Sequence, residues 1–491
     1  ATVGNIITND SFGFIETTPG AETGTYGPIT TLVEAPGTLE AVYKDVNGTP
    51  FDVTVDGYQF QNYVNDPPRN FNDDLGAADM FMLMGPAVCD SGNTAETCVL
   101  STAAKTWMQN KIKGMNGGHC EGMAATSLRL FNWDPFKQYS SPASFQSGAQ
   151  TAIDLTFPKA SLENYIAYYF ITQSIDYDYY YDNEITTGPS RSPKDLVDIL
   201  IRDFNLAEPI PYTVGIFTQE FKAGHAIAAY GVEKVSNDEY RILVYDNNFP
   251  KQRQYITVKQ ESGAWGWRYT TAATPGEDAL VYDGTETSEN LSLHLNNSRD
   301  LPADQYYKCP FCPDETLARD VNSPYSVDAD IHFEYTGEGA ILVTNDEGQS
   351  TGDDPETDSF VNEIPDASVN HFKGGLGLEI PPQIIVPAQE TDDTFYTIIV
   401  HGETITNTAT GTLHITGPGF SIGVNDIELD PGELFEFTIS PDGDHIAFDA
   451  TEDLTAPEIY IAHDPVHPGD PSVIFDIEGV GLLAGERVVL E

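Results

Sequence analysis

The chain has 491 residues, with 23 basic and 76 acidic side chains and a formal net charge of −53. Lys and Arg supply most of the affinity for nucleic-acid phosphates. Acids outnumber them more than three to one here, so we expect no nucleic-acid binding. No apolar run approaches the roughly 18 residues of a membrane-spanning helix, and 40% hydrophobic residues are enough for folded cores. At roughly 100–200 residues per domain, two to four domains are expected.

The charge and the first residue both bear on where the protein works. The sequence starts at Ala1 without a basic and apolar leader, so we expect a removed signal peptide and a secreted, extracellular or cell-surface protein; an artificially shortened chain is the alternative. Self-repulsion among so many acids is tolerable where salt or divalent ions screen it. A marine or halophilic microbe fits, with calcium as a structural counter-ion.

Five cysteines divide into two pairs and one remainder. Cys89 and Cys98 flank a short polar loop, and Cys309 and Cys312 form a CPFC motif. In an extracellular protein such pairs are expected to be disulfides. A zinc knuckle would need two further ligands, and no second CxxC motif exists, so a disulfide or reduced pair is favoured for CPFC. Cys120 remains as the odd thiol.

The hydrophobic pattern changes twice along the chain. Residues 1–63 read as a β-rich N-terminal segment, because short alternating runs are separated by Gly, Pro and Asn. Residues 64–300 form the next predicted region. Its first part has helical spacing, and its second part contains strands with apolar residues on both faces, as in the middle of a sheet. The helical runs are TAAKTWMQNKIKGM, CEGMAATSLRLF, SLENYIAYYFITQSI and PKDLVDILIRDFNL; the strand runs are YTVGIF, HAIAAYGVEKV, YRILVYDNN and RQYITVK.

The helical signal disappears after about residue 300. Residues 301–382 contain the CPFC motif, two strand-like runs and an acidic stretch, NDEGQSTGDDPETDS, that is typical of an exposed loop or linker. Residues 383–491 contain strand-like runs every 10–15 residues, which predicts a C-terminal antiparallel β-sandwich.

The odd cysteine lies in the sequence NGGHCEGMAATSLRLF. Gly117 and Gly118 permit a tight turn, and the apolar residues after Cys120 predict a helix that begins at the cysteine. A helix N-terminus stabilises a thiolate, so we expect a lowered pKa for Cys120. His225 begins a strand that is predicted to be buried, and the next strand ends in DNN at residues 246–248.

This order of motifs resembles the papain-like cysteine peptidase superfamily, especially secreted bacterial and archaeal proteins with GGxCxGMA, GHA and YDNNxP motifs. The resemblance covers roughly residues 75–282. It implies an α+β fold in which a helical part packs on an antiparallel sheet, here with flanking all-β regions. It also implies Cys120 as nucleophile, His225 as general base and Asp246 as the residue that orients the imidazole, with Asn247 as the competing choice.

One position departs from the papain pattern. Papain has a Gln six residues before its nucleophile, which donates to the oxyanion; Gly114 stands there in this chain. Gln109 and Asn116 lie at other offsets, and either amide could replace that Gln if the loop differs in length, which leaves the side-chain donor open.

A tyrosine-rich run, SIDYDYYYDNE, offers oxygen ligands. Asp176, Asp178 and Asp182 are candidates for calcium, but the run lacks the Gly and the periodicity of an EF-hand. A solvated loop near the cleft is therefore the favoured interpretation.

Together these features predict an extracellular cysteine peptidase or amidase that acts on a peptide or protein substrate and needs no cofactor. Acyl transfer to an amine is a variant of the same chemistry. The alternative is a catalytically inactive surface, filament or adhesion protein that assembles with itself or a cell-surface partner through its β domains. A carbohydrate-binding accessory role rests on the C-terminal β pattern alone.

Overall fold

The computed structural model describes most of the chain, and only the described ranges are discussed from here on. These ranges are residues 6–9, 12–15, 29–35, 38–63, 74–132, 141–271, 280–302, 305–312, 330–388, 395–449, 454–455, 457–464, 472–479, 481–483 and 485–490. The fold is α+β, with antiparallel sheets and more strand than helix. No helix in these ranges is long and apolar enough to cross a membrane.

The helices lie together in the first half of the chain, as the periodicity predicted. Four of them coincide with the four helical runs of the sequence. The helices are α1 (Ala77–Met84), α2 (Thr102–Gly114), α3 (Cys120–Asn132), α4 (Pro142–Phe145), α5 (Ala160–Ile171), α6 (Tyr177–Asp182) and α7 (Pro193–Phe204).

A ten-stranded antiparallel sheet packs against the helices, and most of its strands follow them in sequence. Its main order is β13-β12-β11-β10-β9-β8-β14-β7, and the β3–β4 hairpin joins it through β9. The strands are β3 (Ile29–Ala35), β4 (Thr38–Gly48), β7 (Glu184–Thr186), β8 (Tyr212–Phe217), β9 (Gly224–Lys234), β10 (Glu239–Tyr245), β11 (Gln254–Glu261), β12 (Ala264–Thr270), β13 (Val281–Thr285) and β14 (Leu291–Leu295). Part of the segment predicted as a separate N-terminal region therefore belongs to this sheet.

Successive residues of β9 contact different helices, because side chains alternate between the two faces of a strand. Ile227 and Ala229 share a core with α7, whereas Ala226 and Ala228 share a core with Cys120 and the rest of the inner face of α3. Strand β9 is buried from Gly224 to Glu233. This packing fixes the start of α3 against the start of β9.

Two seven-stranded antiparallel sheets form the predicted β-sandwich, and one apolar core joins them. One sheet has the order β19-β20-β15-β22-β23-β27-β28 and the other β18-β17-β16-β21-β24-β25-β30. Their strands are β15 (Asp330–Thr336), β16 (Ala340–Thr344), β17 (Ser350–Asp354), β18 (Ser359–Asn362), β19 (Ser368–Asn370), β20 (Gln383–Pro387), β21 (Tyr396–His401), β22 (Ala409–Gly417), β23 (Phe420–Leu429), β24 (Leu434–Ile439), β25 (Ile446–Asp449), β27 (Glu458–His463), β28 (Val473–Ile477) and β30 (Arg487–Leu490). Short pairs complete the set: β1 (Ile6–Asn9) with β2 (Phe12–Ile15), β5 (Cys89–Ser91) with β6 (Val99–Leu100), and β26 (Leu454–Thr455) with β29 (Gly481–Leu482).

The sandwich begins about fifty residues before the predicted boundary at 383. The acidic stretch that suggested a linker forms the hairpin of β17 and β18, with acids concentrated at its turn. Gly352 in β17 allows the close approach, since a Cβ there would lie 2.2 Å from the carbonyl oxygen of Ile341. The composition of this stretch correctly indicated an exposed turn, but it did not indicate that Gly352 in the adjacent strand is buried.

Polar contacts dock the sandwich on helix α2. The Asp464 carboxylate accepts hydrogen bonds from the backbone N–H groups of Thr102 (3.0 Å) and Ala103 (3.3 Å), which caps the helix from the other region. Lys111, further along α2, forms a buried ion pair with Glu334 of β15. The segment that connects β19 to β20 is thereby held next to the helical region.

Candidate active site

Cys120 is the first residue of α3 and its thiol is free, as the pairing of the cysteines predicted. The other four cysteines form the disulfides Cys89–Cys98 and Cys309–Cys312. Gly118 makes the turn before the helix with a φ of 109°, and Gly122 lets α3 approach α5 closely, because a Cβ there would lie 2.1 Å from the carbonyl oxygen of Ile166. The Cys120 Sγ is completely buried and accepts a hydrogen bond from the Ala226 N–H at 3.3 Å.

His225 and Asp246 form a buried pair at the start of β9, one residue from the Ala226 N–H that contacts the thiol. The His225 Nε2 lies 2.9 Å from the Asp246 Oδ1, and both side chains are completely buried. The Tyr269 hydroxyl donates to the other carboxylate oxygen, and the Asn248 N–H donates to Oδ1 at 2.8 Å. If Nε2 carries the proton, the Asp246 contact leaves Nδ1 as an acceptor. Nδ1 has no hydrogen-bond partner among the residues described here.

Asn247, the competing orienter, does not contact the imidazole. Its Nδ2 donates to the carbonyl oxygens of Cys120 (3.0 Å) and Ala226 (3.1 Å). Consecutive residues at a strand end point to opposite sides, so Asp246 and Asn247 serve different neighbours. Asn247 ties the start of α3 to the start of β9 and is a positioning residue.

The structure describes the side chain of one of the two amides proposed for the oxyanion. Gln109 lies on α2, and its side chain is exposed, whereas Cys120 is buried. The side chain of Asn116 lies outside the described part of the chain.

Asn62, which the sequence analysis did not single out, lies beside the start of α3. Its Nδ2 donates to the carbonyl oxygen of Gly374 at 3.1 Å, and the Cys120 N–H donates to the same oxygen at 3.3 Å. The Asn62 Oδ1 is fixed by the His119 N–H at 2.7 Å. Asn62 lies 58 residues before Cys120, in a stretch assigned to the N-terminal β region, and its sequence gave no signal of this role.

The oxygen on these two donors belongs to a segment of the sandwich region, residues 372–377, which we call the covering segment. Its Gly374 and Gly375 N–H groups both donate to the carbonyl oxygen of Gly224, each at 3.2 Å. The Gly377 N–H donates to the Tyr282 hydroxyl at 2.8 Å. The covering segment therefore crosses the site in contact with the residue before His225 and with the first residue of α3.

Lys373 anchors the covering segment in a buried cluster of charges. Its Nζ lies 2.7 Å from the Glu184 Oε1 and 2.9 Å from the Tyr180 hydroxyl. Tyr180 also donates to Glu121, which forms an ion pair with Arg299. Burial alone would lower the pKa of Lys373, but Glu184, Tyr180 and Glu121 raise it well above its ordinary value. The ammonium group therefore stays charged.

The pKa of Cys120 differs from the sequence prediction. Burial raises the pKa of the thiol well above its ordinary value, and the nearby Glu121 and Asp246 carboxylates raise it further. The hydrogen bond from Ala226 offsets only part of this effect. The Glu121 N–H at the helix start does lower the pKa, but by less than burial raises it. The covered site holds a neutral thiol.

The three candidate calcium ligands do not converge. The Asp176 carboxylate caps α6 by accepting from the Tyr179 N–H at 3.1 Å and also accepts from the Lys308 N–H at 3.0 Å. Asp178 and Asp182 are exposed. The tyrosine-rich run folds as a helix, which directs its acids to different sides. In the described ranges, the acidic group with metal-ligand spacing is Glu458, Asp476 and Glu478 on the sandwich.

The arrangement offers a buried thiol, an imidazole oriented by a carboxylate, and two N–H donors that meet at one carbonyl oxygen. Together these groups can serve acyl transfer to a thiol. Comparison with known proteins gives no match: no protein-family model, curated protein or solved structure matches this chain.

Proposed function

We propose that this protein is an extracellular papain-like cysteine peptidase or amidase. The observation that carries the proposal is the convergence of the Asn62 Nδ2 and the Cys120 N–H on one carbonyl oxygen, at the helix start that bears the free thiol. Such a pair of donors stabilises the oxyanion of a tetrahedral intermediate. His225, whose imidazole is oriented by Asp246, is the proposed base.

The proposed reaction uses only side chains, backbone groups and water. His225 Nδ1 accepts the thiol proton as the Cys120 sulfur attacks a carbonyl carbon, and the imidazolium then protonates the departing amine. Asp246 holds the imidazole in the required tautomer, and Tyr269 fixes Asp246. Water hydrolyses the acyl-thioester in the second half-reaction. An amine in place of water would give acyl transfer.

The surroundings fit an oxidising compartment. Two disulfides form in the structure, and such bonds persist mainly in secreted proteins. The β-sandwich is proposed to serve attachment or binding of protein partners. Calcium is proposed only as a structural ion at the acidic surface.

A second function is favoured by one observation. Cys120, His225 and Asp246 are all completely buried under the covering segment. A peptidase fold retained as a scaffold for a surface, filament or adhesion protein would also look like this. The two functions differ in what happens when the segment leaves the site.

The two functions can be distinguished by measuring peptide hydrolysis in a variant whose covering segment no longer closes the site. Lys373→Ala removes the anchor of the covering segment, and breaking such a buried pair costs about 3–5 kcal/mol. We expect this variant to hydrolyse a glycine-rich peptide amide at least about tenfold faster than the wild type, as removal of a competing occupant requires. Lys259→Ala, which removes a surface pair with Glu261, is the matched control and should behave as wild type.

A folded Lys373→Ala protein without activity above that of its Cys120→Ala double variant would favour the scaffold function. Circular dichroism and the thermal midpoint establish that each variant is folded.

A further inference from the structure

We propose that the peptide bond between Gly374 and Gly375 is a substrate of this protein, so that the chain cleaves itself there. The proposal rests on the proposed function, because it requires Cys120 to act as a nucleophile. It adds the identity of the substrate: the covering segment is bound as a peptide to be cut.

The carbonyl oxygen of Gly374 occupies the proposed oxyanion site. Its oxygen receives both donors of the proposed oxyanion site, Asn62 Nδ2 at 3.1 Å and Cys120 N–H at 3.3 Å. A segment that merely covered the thiol would not need to satisfy both. The two donors come from parts of the chain that are far apart in sequence, and both bind the Gly374 carbonyl oxygen. Their convergence identifies Gly374 as the residue whose carbonyl group is bound for cleavage.

Backbone hydrogen bonds fix the peptide on both sides of that carbonyl. The N–H groups of Gly374 and Gly375 both reach the carbonyl oxygen of Gly224, which directly precedes the base His225. The N–H of Gly375 becomes the amine of the leaving group in this assignment. It is thus bound next to the residue that would protonate it.

The close contact between the site and the covering segment requires glycine both in the site and in the segment. On the protein side, a Cβ at Gly224 would lie 2.2 Å from the Phe372 carbonyl oxygen, and one at Gly118 would lie 2.5 Å from the Gly374 carbonyl oxygen. Both obstacles are backbone atoms that cannot move aside cheaply. Glycine at 118 and 224 therefore lets an incoming peptide backbone lie directly on the site.

The peptide side is restricted as well. A Cβ at Gly375 would lie 2.8 Å from the Asn62 Nδ2, the oxyanion donor itself, and one at Gly374 would lie 2.3 Å from the Ile380 Cδ1. The Ile380 methyl group can rotate away, but the Asn62 amide cannot do so without leaving the carbonyl oxygen. The residue after the cleaved bond should therefore be the more strictly glycine.

The reaction balances with water as the only co-reactant. Sγ of Cys120 bonds to the carbonyl carbon of Gly374 while His225 Nδ1 takes the thiol proton. The bond from that carbon to the Gly375 nitrogen breaks, and His225 returns the proton to the nitrogen. Water then adds to the thioester through His225 and releases the Gly374 carboxyl group and the Cys120 thiol.

Cleavage would leave the fold intact. The flanking strands β19 and β20 pair with each other, with Ser368 opposite Ile385. Lys373 stays anchored on one side of the cut and Gly377 is bound to Tyr282 on the other. The two products would therefore remain associated, and only denaturing conditions would separate them.

Intact mass spectrometry of the full chain under denaturing conditions tests the proposal. After prolonged incubation at neutral pH, we expect fragments 1–374 and 375–491 from the wild type and from Gly481→Ala, whose added Cβ meets open space. Cys120→Ala should stay whole, and Gly375→Ala should be cut at least about tenfold more slowly, as loss of carbonyl alignment requires.

Three outcomes overturn the proposal. A wild-type chain that stays whole while its Lys373→Ala variant hydrolyses an added peptide would refute self-cleavage and leave the peptidase function standing. A wild-type chain that stays whole while the folded Lys373→Ala variant is also inactive would refute both. A cut that persists in Cys120→Ala would assign it to another protease.

Discussion

At the scale of residues, the site depends on a few contacts that each fix one atom. His225 is oriented through Nε2, Asp246 is held by Tyr269 and Asn248, and Asn62 is held by the His119 N–H. Each of these groups would lose its direction if its partner were removed, since buried polar groups are costly to leave unsatisfied.

The role of Asn62 gives a prediction that separates binding from catalysis. In the opened Lys373→Ala protein, Asn62→Ala should lower kcat for peptide hydrolysis by about 10²-fold, the usual effect of losing one oxyanion donor. Alkylation of Cys120 should change little, because no oxyanion forms in that reaction. Gln109→Ala, at one of the two positions that the sequence offered for this role, is the control and should leave kcat unchanged. Equal effects of the two substitutions would remove Asn62 from the mechanism.

Sequence reasoning reached part of this site. Cys120, His225 and Asp246 were found because each stands at the boundary of a predicted helix or strand, where local pattern carries the signal. Asn62 could not be found, because its role arises only when a loop near residue 62 meets another near residue 374. The raised pKa of Cys120 escaped for the same reason: a helix start is visible in the sequence, but its burial by a distant segment is not.

At the scale of elements, the covering segment is held by charges that the site itself does not use. Burial would raise the pKa of Glu121, but Arg299 and Lys373, with hydrogen bonds from Tyr180 and Arg299, lower it below its ordinary value. A carboxyl group with a lowered pKa stabilises the fold above its unfolded pKa, and this contribution is lost as the pH falls through the folded value.

The lowered pKa of Glu121 predicts how the stability of the protein depends on pH. Glu121→Gln should lower the free energy of unfolding by about 3 kcal/mol near neutral pH, because Arg299 loses a buried partner. The difference from the wild type should shrink as the pH falls below the ordinary glutamate value of 4.5 and then through the lowered pKa of folded Glu121. Urea unfolding at a series of pH values measures it.

Glu261→Gln, which affects a surface pair with Lys259, provides the comparison and should show little pH-dependent difference. A Glu121→Gln difference that grows on acidification would mean that this carboxyl group is not stabilised by its cationic neighbours.

The sandwich illustrates what element patterns can and cannot predict. Alternating apolar runs identified its later strands correctly. The boundary was wrong because the hairpin of β17 and β18 carries Gly, Ser and Asp, residues that fit a linker when read alone. Pairing with β16 decides its structure, and pairing between strands is not a local property.

At the scale of the whole molecule, the net charge of −53 remains the dominant feature. Few of the acids in the described ranges are buried, and the chain has too few Lys and Arg to pair its acids, so the folded state repels itself. The ion pairs of the anchoring cluster around Lys373 are buried and are screened much less by salt.

Salt should therefore stabilise the protein. We expect the Tm to rise by about 5 °C or more between low salt and 1 M NaCl, where the Debye length falls to about 3 Å. Differential scanning calorimetry with sucrose as an uncharged control measures this. A Tm that is flat or falls with NaCl would show that surface repulsion does not limit stability.

The arrangement of the whole chain explains why the sequence indicated the proposed catalytic residues but not their burial. The proposed nucleophile, base and orienter lie within residues 120–246, but the segment that covers them comes from the sandwich more than a hundred residues later. Closure is a property of the assembled chain, and it determines whether Cys120 meets a substrate.

The most direct test of the central claim is the rate at which iodoacetamide labels Cys120 in folded Lys373→Ala, followed by peptide mass spectrometry with and without His225→Ala. If His225 activates the thiol, labelling at neutral pH should be at least about tenfold faster with His225 present, because alkylation follows the thiolate fraction. Equal rates in the two proteins would contradict a Cys120–His225 nucleophile and favour the inactive scaffold.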